Sequence, residues 1–347
     1  MMTAEQLLAG PRGRRLLLGL ALESDRTCDD GPGPLWSAVF DASFLIAQSQ
    51  CHSVSRFGWG DLTPKHTEFD VAEALSALTL APVTDARLFD ALQRSVDAAM
   101  YWQEPDGDDL LCAIPQVSQA LIRVARHAAS APIPGWWSEP VARDDQWEVA
   151  WAEAPLQQDG ELLTWREEVV RAEVEARVNL PADITANASG CWWSRPPHWL
   201  TSSTRTTSDG VPVGMRLVED GLGWSEATVH KLAVPDHARV YEVDTPDAWA
   251  RLCRDFPLEV TAQHRHDWYR TTRRDGDWVI PDWSAVAGSW SGIHLTVAAY
   301  VEAATTAIPV TGRLSSVIAG CDPDTTWWFP GVVTRTGEQR PIALPAD

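Results

Sequence analysis

Lysine is almost absent from this chain of 347 residues, which contains Lys65 and Lys231 and no others. Asparagine is equally scarce, and because both residues use AT-rich codons, their scarcity indicates a GC-rich bacterial genome. Arginine therefore supplies nearly all of the positive charge, and the acidic residues outweigh it to give a formal net charge of −20. A field of that sign repels phosphate backbones, which disfavours nucleic acid as a partner.

The chain also lacks long apolar runs and paired cysteines. No apolar stretch approaches the ~20 residues that a membrane-spanning helix needs, so we expect no membrane partner. The six cysteines form no C-x-x-C pair and follow no regular spacing. In a chain of this length, such cysteines are typical of reduced thiols, and we predict a cytoplasmic protein.

The common catalytic signatures are missing as well. There is no G-x-x-x-x-G-K-[ST] loop, no G-x-G-x-x-G turn, no H-E-x-x-H helix and no G-x-S-x-G elbow. These absences argue against the common P-loop NTPases, Rossmann dehydrogenases, zinc peptidases and serine hydrolases.

Hydrophobic periodicity divides the chain into two parts. Residues 1–180 show mostly helical spacing, and residues 190–335 mix short apolar runs with helices. We predict an α+β protein with a mostly helical first domain and a mixed α+β second domain that carries the ligand site. Strands are expected at 147–151, 216–220, 238–243, 258–263 and 278–283, and the clearest helix at 245–256, where Thr245 is the N-cap and Pro246 the first helical residue.

Three tryptophan pairs stand at 136–137, 192–193 and 327–328, among 19 tryptophans in all. In a strand, consecutive side chains point to opposite faces, so one indole of each pair would enter the core. The other would lie on a partly open face, where its N–H meets water or a ligand. We treat Trp192 and Trp193 as candidates for the wall of a pocket, with core packing as the alternative.

The stretch "QHRHDW" at 263–268 is the densest cluster of candidate metal ligands. On a strand, His264 and His266 would share one face, and two imidazoles at that spacing can chelate a first-row metal. A third ligand would come from His294 or Asp282. The alternative is a histidine pair that hydrogen-bonds to its neighbours.

The segment "SGIHLTVAAYVEAA" at 291–304 predicts a short strand followed by a helix that begins at Val297. Thr296 can cap that helix, and His294 and Thr296 then fall on one face at its N-terminus, a place that suits an anion or a ribose phosphate. The "IHLT" stretch and its alanine-rich helix resemble an element of the tRNA 2′-phosphotransferase and ADP-ribosyltransferase superfamily. The resemblance covers some 20 residues, and no Glu-x-Glu motif follows the element, where Asp324 is a substitute. The patterns "WWS-x-P" and "PDW…HLT" are also similar to proteins of GC-rich bacteria without an assigned function.

The resemblance implies an enzyme that binds a nucleotide-like ligand, with NAD as the candidate cofactor, for ADP-ribosyl transfer or glycohydrolysis. In that hypothesis Arg239 holds the pyrophosphate, His294 and Thr296 contact the ribose, Trp192 or Trp193 stacks on a planar ring, and Tyr241 assists. One alternative is a non-catalytic, acidic, tryptophan-rich module that binds a basic protein partner. Another is an enzyme that uses a divalent metal held by His264 and His266.

Overall fold

The computed structural model of the chain describes residues 2–26, 33–50, 63–131, 133–153, 160–221 and 223–345. Helices dominate the first half and short strands the second, so the α+β prediction is confirmed. In these ranges no helix has both the length and the apolar character that crossing a bilayer requires.

Helices occupy most of the described residues before Ala131. They are α1 (Ala4–Ala9), α2 (Pro11–Asp25), α3 (Pro34–Ser49), α4 (Glu68–Ala77), α5 (Asp85–Asp97), α6 (Gly107–Ala113) and α7 (Pro115–Ser130). The boundaries follow local chemistry: Thr84, for example, caps α5 by accepting a hydrogen bond from the amide of Arg87. Leu88, Leu92 and Val96 recur every fourth residue of α5, and all three are buried.

The second half alternates strands and helices. In chain order it contains β1 (Trp147–Trp151), α8 (Leu162–Asn179), β2 (Thr201–Ser203), β3 (Glu226–Ala233), β4 (Val240–Val243), α9 (Pro246–Asp255), β5 (Pro257–Glu259), α10 (Thr261–Thr272), β6 (Asp277–Pro281), α11 (Trp283–Val286), β7 (Gly292–Leu295), α12 (Val297–Ala303), β8 (Ile308–Thr311), β9 (Leu314–Ser316), β10 (Thr326–Trp328) and β11 (Thr334–Ala343).

These strands form three sheets. Their orders are β1-β3-β11, β2-β10-β7-β4 and β5-β6-β9-β8. In the second sheet β4 and β7 run parallel, whereas β10 pairs antiparallel with both β2 and β7. All four residues of β7 are buried, so this short strand lies at the centre of the second half.

The helical half packs directly on the second half through α12. The largest cluster of buried apolar side chains includes Leu16 and Leu92 from the helices and Tyr300 and Trp327 from the second half. The two parts approach closely at Gly13, where a Cβ would lie 2.1 Å from the carbonyl oxygen of Leu7 and 3.2 Å from a methyl group of Val301. One apolar core therefore spans the boundary between the predicted domains.

Three expected extended segments differ from the structure. Residues 216–220 do not form a strand. The backbone amide of Leu217 donates back to the carbonyl of Val213, and the backbone of Asp220 is in the left-handed region, with φ of 48°. The strand expected at 258–263 ends at Glu259, and α10 begins two residues later. The first tryptophan pair lies in a short 3-10 helix, Gly135–Ser138.

Candidate functional site

His294 and Thr296 occupy the predicted strand and helix start, but neither side chain is free. Thr296 is the N-cap of α12, as expected, and its hydroxyl accepts from the amide of Ala299 at 3.2 Å. His294 is 1% exposed, and its Nδ1 lies 2.5 Å from an oxygen of Glu242. The helix that follows is seven residues long. The pair therefore lies in the protein interior, where both side chains already have partners.

His294 belongs to a buried ionic network within the second sheet, β2-β10-β7-β4, and the segments next to its strands. Its Nε2 lies 3.6 Å from Asp324, and Asp324 accepts from Nε of Arg205 at 2.7 Å and from the backbone amide of that residue. Burial alone would lower the pKa of His294, but the hydrogen bonds to Asp324 and Glu242 outweigh it and raise that pKa. Asp324, the acid expected to substitute for the Glu-x-Glu motif, therefore does lie beside His294, as part of a structural ion network.

Arg239 and Tyr241 meet at a separate surface. The Arg239 guanidinium lies over the ring of Trp290, 4.9 Å from its centre, and Tyr241 packs edge-on against the same indole. The Tyr241 hydroxyl donates to the carbonyl of Ala248 at 2.7 Å. Arg239, which was expected to hold a pyrophosphate, therefore lies beside an aromatic pair. The Tyr241 hydroxyl already has a backbone acceptor.

The histidine pair lies on a helix, so its predicted place on a strand is wrong. His264 and His266 are in the first half of α10, and two positions along a helix is about 200° around its axis. The imidazoles diverge accordingly: His264 contacts the carbonyl of Trp193, and His266 that of Asp183. Asp282 caps α11 and pairs with Arg166. Within the described ranges, no group of three or more His, Cys, Asp or Glu side chains is placed to hold a metal ion.

The tryptophan pairs have three different environments. Trp327 and Trp328 lie in β10, and both are buried. Trp192 and Trp193 lie in an extended segment outside the sheets, and their contacts differ. Trp192 stacks on Tyr101 at 5.9 Å, and Trp193 keeps 46% of its surface exposed.

Trp193 lines a groove of about 540 Å³ between α8 and the segment 191–199. One wall is a stripe of α8 in which Thr164, Trp165, Glu168 and Ala172 recur at helical spacing. The facing wall carries Trp193, and the full lining is Gly160, Glu161, Thr164, Trp165, Glu168, Val169, Ala172, Cys191, Trp193, Arg195, Pro196, Pro197, His198, Trp199, Gln263, His264 and Ile280. Three indoles and several polar groups therefore meet in one groove of ligand size.

Buried polar contacts fix the two walls relative to each other. The carboxylate of Glu173, on α8, accepts from the backbone amides of Ala262 and Gln263 and so caps the N-terminus of α10. This tertiary cap explains why α10 begins where the sequence suggested a strand. Asp267 accepts from the amide of Gly190 at 2.9 Å, which ties the segment that carries Trp193 to the same helix.

Close backbone packing also orients Trp193. The amide of Ser194 donates to the carbonyl of Ala319 at 2.9 Å, and the indole N–H of Trp268 donates to the carbonyl of Trp192 at 2.7 Å. Gly320 has a φ of 71°, and a Cβ there would lie 2.9 Å from that of Trp193. The backbone beneath the exposed indole is therefore held on both sides.

His264 gives the groove a defined hydrogen-bonding character. Burial lowers the pKa of His264 to about 4, so the ring is neutral at physiological pH. Its Nε2 lies 3.2 Å from the carbonyl oxygen of Trp193, which can only accept, so Nε2 carries the proton. Nδ1 is then an acceptor, and among the described residues it has no hydrogen-bond partner. His264 thus leaves one acceptor atom unused.

The charged groups of the groove have opposite signs on its two walls. Glu161 and Glu168 lie on the α8 side, and Arg195 lies on the facing segment. In the part of the chain that the structure describes, the Arg195 guanidinium forms no hydrogen bond or ion pair. Burial raises the pKa of Cys191 to about 11, so its thiol remains protonated. Arg195 is the positive group available to a ligand.

Trp193 and His264 were identifiable from the sequence, but the other residues of the groove were not. Arg195 and Trp199 follow the second tryptophan pair closely, and only that proximity could have suggested them. Trp165 and Glu168 were assigned to a helix whose partner no local pattern reveals. Comparison with known proteins yields no matching family model, no matching curated protein and no matching solved structure.

Proposed function

We propose that this protein binds a small nucleotide-like ligand in the groove between α8 and segment 191–199. A planar ring of the ligand stacks on Trp193, and an anionic group pairs with Arg195. The observation that carries the proposal is the half-exposed indole of Trp193, which faces a ligand-sized groove beside an unpaired guanidinium.

The chemistry of the groove favours a heterocycle over a simple hydrocarbon. Trp165 and Trp199 add aromatic surface, on which a planar heterocycle can stack. Stacking of a base on an aromatic side chain contributes about 1–3 kcal/mol. Such a ligand is of the class that the ADP-ribosyltransferase resemblance implies, and we include NAD among its members.

An ADP-ribosyl transfer or glycohydrolysis reaction in this groove would need a carboxylate beside the bound ribose. Glu161 and Glu168 are the acidic side chains that line it. In our proposal one of them takes the role of stabilising positive charge on the ribose. His294, Thr296, Arg239 and Tyr241, which the resemblance implied, then have structural roles. The four cysteines of the described residues are free thiols, which supports a cytoplasmic location for the enzyme.

The proposal is tested by isothermal titration calorimetry with NAD, ADP-ribose and AMP. We expect binding to the wild type and at least tenfold weaker binding to Trp193→Ala, because the variant removes the stacking surface. Arg171→Gln on the outer face of α8 is the matched charge control for Arg195→Gln, and it should leave the affinity unchanged.

Three outcomes would contradict the groove as the site. Absence of heat at millimolar concentrations of all three ligands excludes nucleotide binding by this protein. If Arg239→Gln abolishes binding and Trp193→Ala does not change it, the ligand binds at the surface of β4 instead. Activity without these binding effects would likewise refute the proposed site.

A second candidate function is docking of a protein partner, and one feature of α8 favours it. Its outer face exposes four apolar side chains along a single stripe: Leu163, Val170, Val174 and Val178. The helix carries more acidic than basic residues, which suits a partner helix with an apolar stripe and basic flanks. Val174→Lys would then abolish binding to such a partner without changing the affinity for nucleotides.

A further inference from the structure

A second cavity, of about 320 Å³, lies where the helical half meets the second half, away from the Trp193 groove. Its walls come from the start of α2, the segment after α5, helix α6, the end of α10 and the loop after α12. Ligand sites occur preferentially at such junctions. Two wall residues other than glycine have left-handed backbones: Arg273, with φ of 57°, and Thr305, with φ of 67°. For a β-branched threonine this conformation is strained, and strain of this kind clusters at functional sites.

Two arginines on the wall have donors that the protein leaves unused. Arg12 is 1% exposed; its guanidinium donates to Asp109 and to the carbonyl of Ser95, but its Nε has no acceptor within the described residues. Nε of Arg14 is likewise buried without a partner. Arg14 donates only to the carbonyls of Leu8 and Ala9, and no carboxylate of the described chain pairs with it.

Burial lowers the pKa of Arg14 more than the nearby Cys112 and Asp109 raise it, and no carboxylate of the described residues lies within ion-pair distance of it. Arg12 differs: burial alone would lower its pKa, but the charge of Asp109 outweighs burial and raises it. An anion beside Arg14 would therefore form an ion pair that the protein itself does not provide.

The lining restricts which anion fits. Arg12, Arg14 and Arg273 are balanced by Glu104, Asp106 and Asp109, so the walls have no net charge. A phosphate dianion would meet three carboxylates, whereas a monoanion meets less repulsion. Much of the wall is apolar, and its apolar side chains are Pro11, Ala98, Met100, Pro105, Leu110, Ala113 and Ala307. A ligand with a single charge and an apolar body matches this surface.

We propose that this cavity binds a small organic monocarboxylate, with its apolar body against Met100 and Leu110 and its carboxylate on the guanidinium of Arg14. That guanidinium acts as a hydrogen-bond donor, and no covalent step is involved. The site is independent of the Trp193 groove, because the two cavities share no lining residue.

The probe is benzoate, and benzamide is its neutral isostere. Calorimetric titration of the full-length protein should show binding of benzoate, at least tenfold weaker binding of benzamide, and no competition from inorganic phosphate. Arg14→Gln should weaken benzoate binding at least tenfold because it removes the uncompensated charge. Arg171→Gln and Trp193→Ala should bind benzoate as the wild type does.

Ala113→Phe supplies a second test at the exposed rim of the cavity, in case Arg14→Gln lowers the folded fraction seen by circular dichroism. A phenyl group there should block entry and reduce benzoate affinity while Arg12 and Arg14 are retained. The proposal is overturned if benzoate does not bind, if benzamide or phosphate binds equally well, or if both variants bind benzoate with wild-type affinity.

Discussion

Glu219 makes the stability of this fold dependent on pH. Its Oε1 lies 2.8 Å from the hydroxyls of both Tyr101 and Tyr300, and the residue is in the segment between β2 and β3. The residue keeps some solvent exposure, but its Oε2 is buried without a partner in the described chain. Burial and the nearby charge of Asp322 raise the pKa of Glu219 from 4.5 to about 8.

Counting protons at this site supports a neutral carboxyl. The Tyr101 hydroxyl also lies 2.9 Å from the carbonyl oxygen of Ile318, which can only accept. One phenolic proton cannot serve both oxygens, so when Tyr101 donates to the carbonyl, Glu219 must provide the proton between itself and that tyrosine. Geometry and the pKa therefore agree on protonated Glu219 at neutral pH.

The magnitude follows from linkage between proton binding and folding. The folded pKa is raised, so the stabilising contribution is complete below pH 4.5 and is lost as the pH rises through about 8. In that window the slope is about −1.4 kcal/mol per pH unit, and over the whole window the loss is roughly 5 kcal/mol. This loss is a large fraction of the free energy of unfolding of an ordinary domain.

Glu219→Gln is the perturbation that isolates this effect, because the amide resembles the protonated acid and cannot ionise. Urea denaturation at pH values from 5 to 9 should give similar free energies of unfolding for both proteins at pH 5 and a widening advantage for the variant above it. Glu175→Gln, at an exposed position of α8, is the matched control. Parallel curves for wild type and Glu219→Gln would refute the reasoning.

Two further substitutions test contacts that hold the second half together. Asp324→Asn keeps a residue that tolerates φ of 61° but removes the buried carboxylate that pairs with Arg205 and lies 3.6 Å from His294, so urea denaturation should show a loss of about 3–5 kcal/mol. Gly190→Ala places a Cβ 2.2 Å from the carbonyl oxygen of Gln263; we expect a loss of about 1–3 kcal/mol and weaker nucleotide binding in calorimetry.

Elements that local chemistry determines were predictable from the sequence. Thr245 and Pro246 begin α9 as expected, and Thr296 caps α12. The alternation of Trp147, Val149 and Trp151 predicted β1 correctly. In each case the signal lies within a few residues of the element, and no distant part of the chain contradicts it.

The site was less predictable because its parts come from distant segments. The strand expected at 258–263 ends early, and His264 and His266 lie on a helix that Glu173, some ninety positions earlier in the chain, caps through space. His294 was expected in a cleft, but Glu242, on β4, and Asp324, in the turn before β10, enclose it. The hydrophobic periodicity of a segment indicates which face of its helix or strand is apolar. It does not indicate which distant side chain packs on that face.

Recognition and stability respond to pH through separate groups in this protein. His264 has a pKa of about 4, so its ring presents the same neutral acceptor throughout the range from pH 5 to 9. Glu219, in contrast, loses its proton inside that range. Because Glu219 does not line the Trp193 groove, its ionisation affects ligand binding only by changing the folded fraction. Nucleotide affinity measured on Glu219→Gln should therefore match that of the wild type at pH 6, where both proteins are folded.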